Sequence, residues 1–183
     1  MTDQEFSLAD VREVEQEALD QFTCGDPELD TFLRNEARPY SEAGITSTYL
    51  LFQNGDESPV GFFSLSADSI QLSSMEEFEL GIPFQLPVSF VPAVKITKLA
   101  VRECDQSKGI GERIVRLIQG LVFGFPMAVR LLTVNAVNRE RTIAFYERTN
   151  FVRSHRNDVP RQGKRPKDEP ETVLYYKDIY ADD

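Results

Sequence analysis

The segment from Val91 to Phe125 constrains the fold of this chain more than any other stretch of its sequence. It begins with VPAVKITKLAV, continues through the polar, glycine-containing loop ECDQSKGIG, and ends with ERIVRLIQGLVFGF. The first run predicts a strand that ends near Val101, and the apolar side of the last run predicts a helix. A strand that feeds a helix through glycines exposes backbone N–H groups at the positive end of the helix dipole. Such a junction can hold a diphosphate.

The glycine spacing in this loop excludes two better-known phosphate loops. The chain has no G-x-x-x-x-G-K-[ST] sequence, and it has no G-x-G-x-x-G followed by a carboxylate about 20 residues later. ATP and NAD are therefore poor candidates for the ligand. Taken alone, Gly109-Ile110-Gly111 is also compatible with a closely packed turn that binds nothing.

The remaining sequence predicts further strands and helices without an internal repeat. Asp26 followed by Pro27 is a good helix start, and Asn54-Gly55-Asp56 predicts the turn of an antiparallel hairpin. The predicted strands lie within 6–14 and over 46–53, 60–72, 91–101, 128–136, 151–153 and 172–179. The predicted helices cover 15–21, 27–43, 112–125 and 139–148, with one short helix in the otherwise irregular segment 73–92.

Several classes of protein are excluded by what the sequence lacks. No apolar run approaches the roughly 20 residues that cross a bilayer, and the N-terminal MTDQEFSLAD has neither the basic nor the apolar region of a signal peptide. We therefore expect a cytoplasmic protein with no membrane partner. The two cysteines, Cys24 and Cys104, are too few for a disulfide framework, and the single His155 belongs to no Cys or His cluster. We expect no metal site.

The net charge of −10 conceals a division between the two halves of the chain. Residues 1–94 contain 18 acidic and 3 basic residues, whereas residues 95–183 contain 12 acidic and 17 basic residues. The charge of the whole chain argues against a nucleic-acid partner. The positive charge of the second half predicts instead that any anionic ligand binds there.

Two motifs give the chain a family resemblance. The run ITKLAVRECDQSKGIGERIV, with its Gln-x-x-Gly-x-Gly loop, resembles the acyl-CoA-binding motif of the GNAT N-acetyltransferases. The run LLTVNAVNRERTIAFYERTNFV resembles the second signature of that family, a strand followed by a helix bearing Phe-Tyr-Glu. Upstream, FTCGDPELDTFLRNEA, TSTYLLF and PVGFFSLSADSI are similar to the branch of acetyltransferase toxins from toxin–antitoxin pairs, whose relatives acetylate aminoacyl-tRNA.

The resemblance covers roughly residues 20–153 and implies a fold. We expect a single GNAT acetyltransferase domain over residues 1–183, of α/β class, with a mixed, mostly antiparallel central sheet flanked by helices. Within it, residues 154–171 are rich in Pro, Lys and Arg and are expected to form a basic flexible loop.

The resemblance also implies acetyl-CoA as the cofactor and assigns roles to residues of this chain. Backbone groups of Leu99, Ala100 and Val101 would pair with the pantetheine arm. The loop that would bind the pyrophosphate consists of Gln106, Ser107, Lys108, Gly109, Ile110 and Gly111. Tyr146, at the Phe-Tyr position of the family, would be the general acid for the departing thiolate, because a tyrosine is protonated at neutral pH. Without the motif, the position of Phe145-Tyr146 on an amphipathic helix favours instead an aromatic that packs under the sheet.

The chain departs from the family pattern at two positions, and it has no carboxylate that is clearly placed as a base. Asn138 lies eight residues before Tyr146, where the family often has an asparagine seven residues before it. Asn150 replaces the usual glycine, and asparagine tolerates the left-handed conformation that ends a helix. Glu103 is a candidate base just beyond the strand, although an exposed loop glutamate is usually only solvated.

The acyl acceptor is left open by the sequence. Six cations, opposed only by Asp158, fall within 15 residues: Arg153, Arg156, Arg161, Lys164, Arg165 and Lys167. Such a strip suits the phosphates of a tRNA, but charge runs are often solvated loops that bind nothing.

Three functions from different classes remain. The first is a toxin that acetylates aminoacyl-tRNA and is neutralised by a DNA-binding antitoxin. The second is an acetyltransferase of a small amine or a protein amino group, drawn as a cation to the acidic half. The third is a non-catalytic acyl-CoA-binding interaction module. The resemblance also makes a homodimer plausible.

Overall fold

The computed structural model of the protein describes residues 6–156 and 170–181. Its strands are β1 (Phe6–Asp10), β2 (Ser47–Gln53), β3 (Gly61–Ile70), β4 (Val91–Val101), β5 (Leu131–Val137), β6 (Val152–Arg153) and β7 (Thr172–Asp178). They are hydrogen-bonded in the order β1-β2-β3-β4-β5-β7-β6, and the pairs β1–β2, β2–β3, β5–β7 and β6–β7 are antiparallel. The predicted α/β class with a mostly antiparallel sheet is confirmed.

The helices lie where the sequence predicted them. They are α1 (Gln16–Asp20), α2 (Pro27–Thr31), α3 (Ala37–Glu42), α4 (Ser74–Glu79), α5 (Ile110–Phe123) and α6 (Glu140–Arg148). Within the described ranges, none of these helices has the length and apolar character that crossing a bilayer requires. Of the predicted basic loop 154–171, residues 157–169 lie outside the described part of the chain.

The helix expected over 27–43 is divided by a wider turn. Asp26 caps its start as predicted, accepting hydrogen bonds from the backbone N–H of Glu28 and Leu29 at 3.0 and 3.4 Å. Between α2 and α3, residues Phe32–Glu36 form a π-helical turn in which the N–H of Ala37 donates to the carbonyl of Phe32, five residues earlier. Such a turn adds a residue to the helix without ending it, so the hydrophobic period alone does not reveal it.

Close packing divides the chain into two compact units. The first contains the described residues up to Ser66 together with Ile96–Ile118, and the second contains Ala67–Lys95 together with the described residues from Gln119 onward. The strands β3 and β4 therefore each contribute residues to both units.

The core of the first unit is aromatic. Phe22 meets Phe62 edge to face at 5.4 Å between ring centroids, and Phe32 stacks on Phe62 at 6.1 Å. Leu33 and Leu50 are buried in the same cluster. The segment from α2 to α3 thus packs its apolar side chains on one face of β2 and β3.

One core cluster of the second unit is aliphatic apart from a single tyrosine. It consists of Ile70, Leu72, Leu80, Val91, Ala93, Leu131 and Tyr176. Ile82 and Leu86 of the segment that follows α4 pack against it. This segment is therefore fastened to the second unit by its apolar side chains.

Gly61, the first residue of β3, is expected to tolerate no side chain. A Cβ there would lie 2.9 Å from the carbonyl oxygen of Ala100 and 2.9 Å from Cδ1 of Ile114. Because the carbonyl belongs to backbone that cannot turn aside, Gly61→Ala should lower the free energy of unfolding by about 1–3 kcal/mol. Urea denaturation measures this loss.

Gly120→Ala is the matched control for this prediction. Gly120 is exposed in the last turn of α5, and nothing lies within 4 Å of a Cβ placed there. The substitution should raise the free energy of unfolding by about 0.5–1 kcal/mol through helix propensity. Equal effects of the two substitutions would contradict the close approach at Gly61.

Candidate functional site

The predicted cofactor-binding residues form one continuous strand end, loop and helix start within the first unit. Leu99, Ala100 and Val101 are the last three residues of β4, and α5 begins at Ile110. Between them, Glu103–Asp105 form a short 3-10 turn. The strand–loop–helix junction predicted from the sequence is therefore present.

The backbone of this loop is exposed and turned into the left-handed region. Ser107 has φ 64° and Gly109 has φ 80°, and both residues are exposed, as is Lys108. Ile110 is buried and anchors the start of α5. The first bond that closes a turn of the helix runs from the N–H of Arg113 to the carbonyl of Gly109, at 3.1 Å. The backbone N–H groups of the residues before Arg113 lie at the positive end of the helix dipole, where an anion is stabilised.

Gln106 fastens the loop to two other segments of the first unit. Its side-chain Nε2 donates to the carbonyl of Cys24 at 2.8 Å and to that of Val101 at 3.2 Å. Its backbone N–H donates to the carbonyl of Glu103 at 3.3 Å, and the N–H of Glu103 donates to that of Thr23 at 2.9 Å. Besides its predicted place in the cofactor loop, Gln106 therefore links the loop to the segment at Cys24 and to the end of β4.

An ion-pair network at the base of the loop was not predicted from the sequence. Arg102 donates from Nε to Oδ2 of Asp105 at 2.5 Å and from Nη2 to Oδ2 of Asp56 at 2.8 Å. Lys108 Nζ donates to the other oxygen of Asp105 at 2.9 Å. Burial opposes the charge of Asp105, but the bonds from Lys108 and Arg102 outweigh it and hold the pKa of Asp105 below its ordinary value.

The same network borders a cavity of about 280 Å³ in the first unit. It is lined by Gln53, Asp56, Arg102, Asp105, Lys108, Ile110 and Arg113. The cavity joins the turn between β2 and β3 to the exposed face of the loop. The ion pairs of Asp105 could have been predicted from the i, i+3 spacing of Arg102 with Asp105 and of Asp105 with Lys108.

Tyr146 lies on α6 in the second unit. The residue is buried, with 7% of its surface exposed, and its ring meets those of Phe145 and Phe151 edge to face at centroid distances of 5.1 and 5.3 Å. This burial raises the pKa of Tyr146 above its ordinary value, because the phenolate would lose its hydration. The phenol therefore stays protonated at neutral pH.

The end of α6 is closed as the sequence predicted. Asn150 has φ 65°, in the left-handed region, and its N–H donates to the carbonyl of Glu147 at 3.1 Å. The N–H of Phe151 donates to the carbonyl of Tyr146 at 3.0 Å. The hydroxyl of Tyr175 donates to Oε1 of Glu147, in the last turn of α6, at 3.1 Å.

Two further residues named from the sequence have ordinary structural contacts. Asn138 donates from Nδ2 to the carbonyl of Pro170 at 3.0 Å. Glu103 is exposed, with its carboxylate against Gly25. Among the described residues, no group of three His, Cys, Asp or Glu side chains is arranged as metal ligands.

The start of the basic segment is held by a buried carboxylate of α4. Glu76, at 3% exposure, accepts hydrogen bonds from the N–H of Ser73 at 2.7 Å, the hydroxyl of Ser154 at 3.1 Å and the N–H of His155 at 3.0 Å. Burial opposes the charge of Glu76, but these bonds outweigh it and keep the pKa of Glu76 below its ordinary value. Nearby, Arg156 Nη2 donates to Gln71 at 2.9 Å.

Glu76→Gln is expected to lower the free energy of unfolding by about 1–3 kcal/mol at pH 7, since three donors lose a charged acceptor. Because the pKa of Glu76 is lowered by folding, its contribution is complete above about pH 5 and is lost as pH falls through the folded-state pKa. The difference between the two proteins should therefore shrink below about pH 4. Denaturation curves across pH measure it. Glu79→Gln, at an exposed position of the same helix, should change stability little, and an equal loss there would contradict the assignment.

Comparison with known proteins identifies the fold. No family model matches the chain. A tyrosine-to-phenylalanine mutant of the protein KacT superimposes with a TM-score of 0.72 at 19% identity, covering 96% of both chains. A structure described as a bacterial toxin superimposes with a TM-score of 0.74 at 17% identity, covering 96% of this chain and 92% of that one.

A third similar structure is AtaT complexed with acetyl-methionyl-tRNAfMet. It superimposes with a TM-score of 0.70 at 20% identity, covering 93% of this chain and 94% of that one. At such low identities the likeness establishes the fold alone, and the protein has the GNAT-like α/β fold of the toxins KacT and AtaT.

Proposed function

We propose that the protein is an acetyl-CoA-dependent N-acetyltransferase that acts on the α-amino group of aminoacyl-tRNA, as the toxin of a toxin–antitoxin pair. The observation that carries this proposal is the exposed, left-handed loop between Val101 and Ile110 at the start of α5. The fold supports it, because AtaT has the same fold and was solved with acetyl-methionyl-tRNAfMet and with acetyl-CoA.

The residues of the loop fit a CoA diphosphate. Gly109 and Ser107 turn the chain so that successive N–H groups precede the helix, and no side chain covers Gly109, where nothing lies within 4 Å of a Cβ. Backbone dipoles at a helix start bind phosphate without a cationic cage. The last residues of β4, Leu99, Ala100 and Val101, would hold the pantetheine arm by their backbone groups.

Tyr146 has the properties of the proton donor. Bound acetyl-CoA would supply an acetyl group activated as a thioester. Transfer to an uncharged amine forms a C–N bond and breaks the C–S bond. The departing sulfur takes up one proton and the nitrogen releases one to solvent. Tyr146 holds one at its phenolic oxygen, and burial raises its pKa, so that the proton is present throughout the neutral range. Structures of both KacT and AtaT include variants with phenylalanine in place of a tyrosine, the change that removes such a hydroxyl.

Tyr146→Phe is expected to reduce kcat for acetyl transfer by about 100-fold or more, the usual contribution of a general acid. The ring remains, so its packing against Phe145 and Phe151 and the thermal stability should persist. Release of free thiol from acetyl-CoA measures the rate. Tyr180→Phe, at an exposed tyrosine, is the matched control and should retain activity. Wild-type activity in Tyr146→Phe would remove the assignment.

The acceptor is proposed from charge and from the chemistry of the amine. An aminoacyl ester has an α-amino group of lowered pKa, so that a large part of it is uncharged at neutral pH and it needs little help from a base. The six cations from Arg153 to Lys167 would contact tRNA phosphates. The acidic first half of the chain favours a second candidate, a small cationic amine or a protein amino group.

Salt dependence separates the two acceptors. If three or four phosphates are neutralised, KM for aminoacyl-tRNA should rise about 20- to 150-fold between 50 and 200 mM salt. A small cationic amine should show a much weaker dependence, because it releases few counterions. The measurement compares total aminoacyl-tRNA with a panel of polyamines. Efficient transfer to a polyamine, without transfer to tRNA, would replace the proposed acceptor.

The remaining proposals concern the biological setting. We place the protein in the cytoplasm, where aminoacyl-tRNA is found, and we propose a DNA-binding antitoxin as its partner, since AtaT was solved with its antitoxin AtaR and KacTA with DNA. A single catalytic domain and a homodimer remain predictions. Induced expression should arrest growth, and Tyr146→Phe should relieve the arrest.

A further inference from the structure

The loop proposed to bind CoA is fastened to the turn between β2 and β3 by one arginine. Arg102 uses three of its N–H donors on two segments: Nε on Asp105, Nη2 on Asp56, and Nη1 on the hydroxyl of Ser58 at 3.4 Å. Its backbone N–H also donates to the carbonyl of Val60 at 2.8 Å. Three hydrogen bonds from Arg102 therefore join the end of β4 to the segment from Asp56 to Val60.

Asp105 occupies the centre of this arrangement. Its side chain is 11% exposed, and its two oxygens accept from different cations, Oδ2 from Arg102 and Oδ1 from Lys108. The Lys108 side chain is 61% exposed along its length, yet its ammonium group is held by Asp105, at the base of the loop. A carboxylate so enclosed is stable only while both partners are present.

The effect of Asp105 on the affinity of the loop for an anion is expected to be opposite to the effect that its charge alone predicts. A negative charge two residues before Ser107, where the left-handed turn begins, should repel a diphosphate, so that its removal should strengthen binding. The contacts of Asp105 have the reverse effect, because they fix Arg102 and Lys108 and with them the backbone from residue 102 to residue 108. A preorganised set of N–H groups binds more tightly than a mobile one.

We propose that Asp105 and Arg102 are positioning residues for the CoA diphosphate: the Asp56–Arg102–Asp105–Lys108 network holds the loop in its binding shape, and Asp105 strengthens cofactor binding although it is an acid. The inference rests on the proposed function, in which this loop binds acetyl-CoA. It assigns the affinity of the loop to backbone geometry rather than to the charge of Lys108.

The test is the Kd of acetyl-CoA measured by titration calorimetry for the wild-type protein and for Asp105→Asn. The substitution keeps the shape of the side chain and removes its charge. We expect Kd to rise about tenfold, the equivalent of one lost hydrogen bond to a charged group. At saturating acetyl-CoA, kcat should remain within about twofold, so that the loss appears in KM alone. An unchanged or lower Kd would overturn the proposal, because electrostatic relief would then dominate.

Glu57→Gln is the matched control. Glu57 is exposed next to Asp56 in the same turn, so that the substitution removes one negative charge from the same region without touching the network. Its Kd should remain within about twofold of wild type, as expected for an exposed charge at moderate salt. A Kd raised as far as in Asp105→Asn would also overturn the proposal, because the effect would then not depend on the network.

Two further variants keep the inference testable if Asp105→Asn does not fold. Asp56→Asn removes the partner of Arg102 in the turn, where the carboxylate is 35% exposed, and should raise Kd about threefold, less than a fully buried partner would. Arg102→Lys keeps the charge but cannot span both carboxylates, so it should behave like Asp105→Asn. Unchanged Kd values in both would refute the positioning role. A wild-type protein that binds no acetyl-CoA would instead refute the proposed function itself.

Discussion

The backbone of β3 lies against the end of β4 at Gly61, with no room for a side chain between them. This contact determines where β4 ends, because the N–H of Arg102 reaches the carbonyl of Val60 just before the glycine. From Arg102 the chain leaves the sheet, makes the Glu103–Asp105 turn and enters α5. The position of the loop between β4 and α5, the buried side of α5 and the ion pairs below the loop all depend on this close approach.

The features that the sequence predicted correctly are those with a local physical cause. Asp26-Pro27 starts a helix, and Asn54-Gly55-Asp56 closes a hairpin, because each determines the backbone over a few residues. Asn150 in the left-handed region is another such case. The loop between β4 and α5 could be predicted for the same reason, since the glycine spacing describes the shape of the turn directly. That its residues bind a cofactor stays a prediction.

The features that sequence reasoning missed depend on contacts between distant residues. Asp56 and Arg102 are 46 positions apart, and Glu76 and Ser154 are 78 positions apart. No sequence periodicity connects such pairs. In a chain with many acidic residues, nothing in the neighbouring sequence distinguishes an acid that is buried from one that is exposed. Glu76 and Glu79 look alike in the sequence, yet one is buried under three donors and the other is exposed. For Tyr146, the structural and the functional interpretation proved compatible, because the burial that packs its ring also keeps its proton.

The charge that the second half of the chain offers to a ligand is lower than its sequence suggests, because several of its cations form ion pairs within the protein. In the basic second half, Lys98, Arg102, Lys108 and Arg130 each form an ion pair with a carboxylate, so that their charges are largely compensated before any ligand arrives. The loop at α5 would then hold a diphosphate mainly through backbone dipoles, which salt screens little at contact distance. A tRNA, in contrast, would be held by side-chain cations through counterion release, which salt opposes strongly. The proposed enzyme would therefore recognise its two anionic ligands by different physics, although both belong to the same half of the chain.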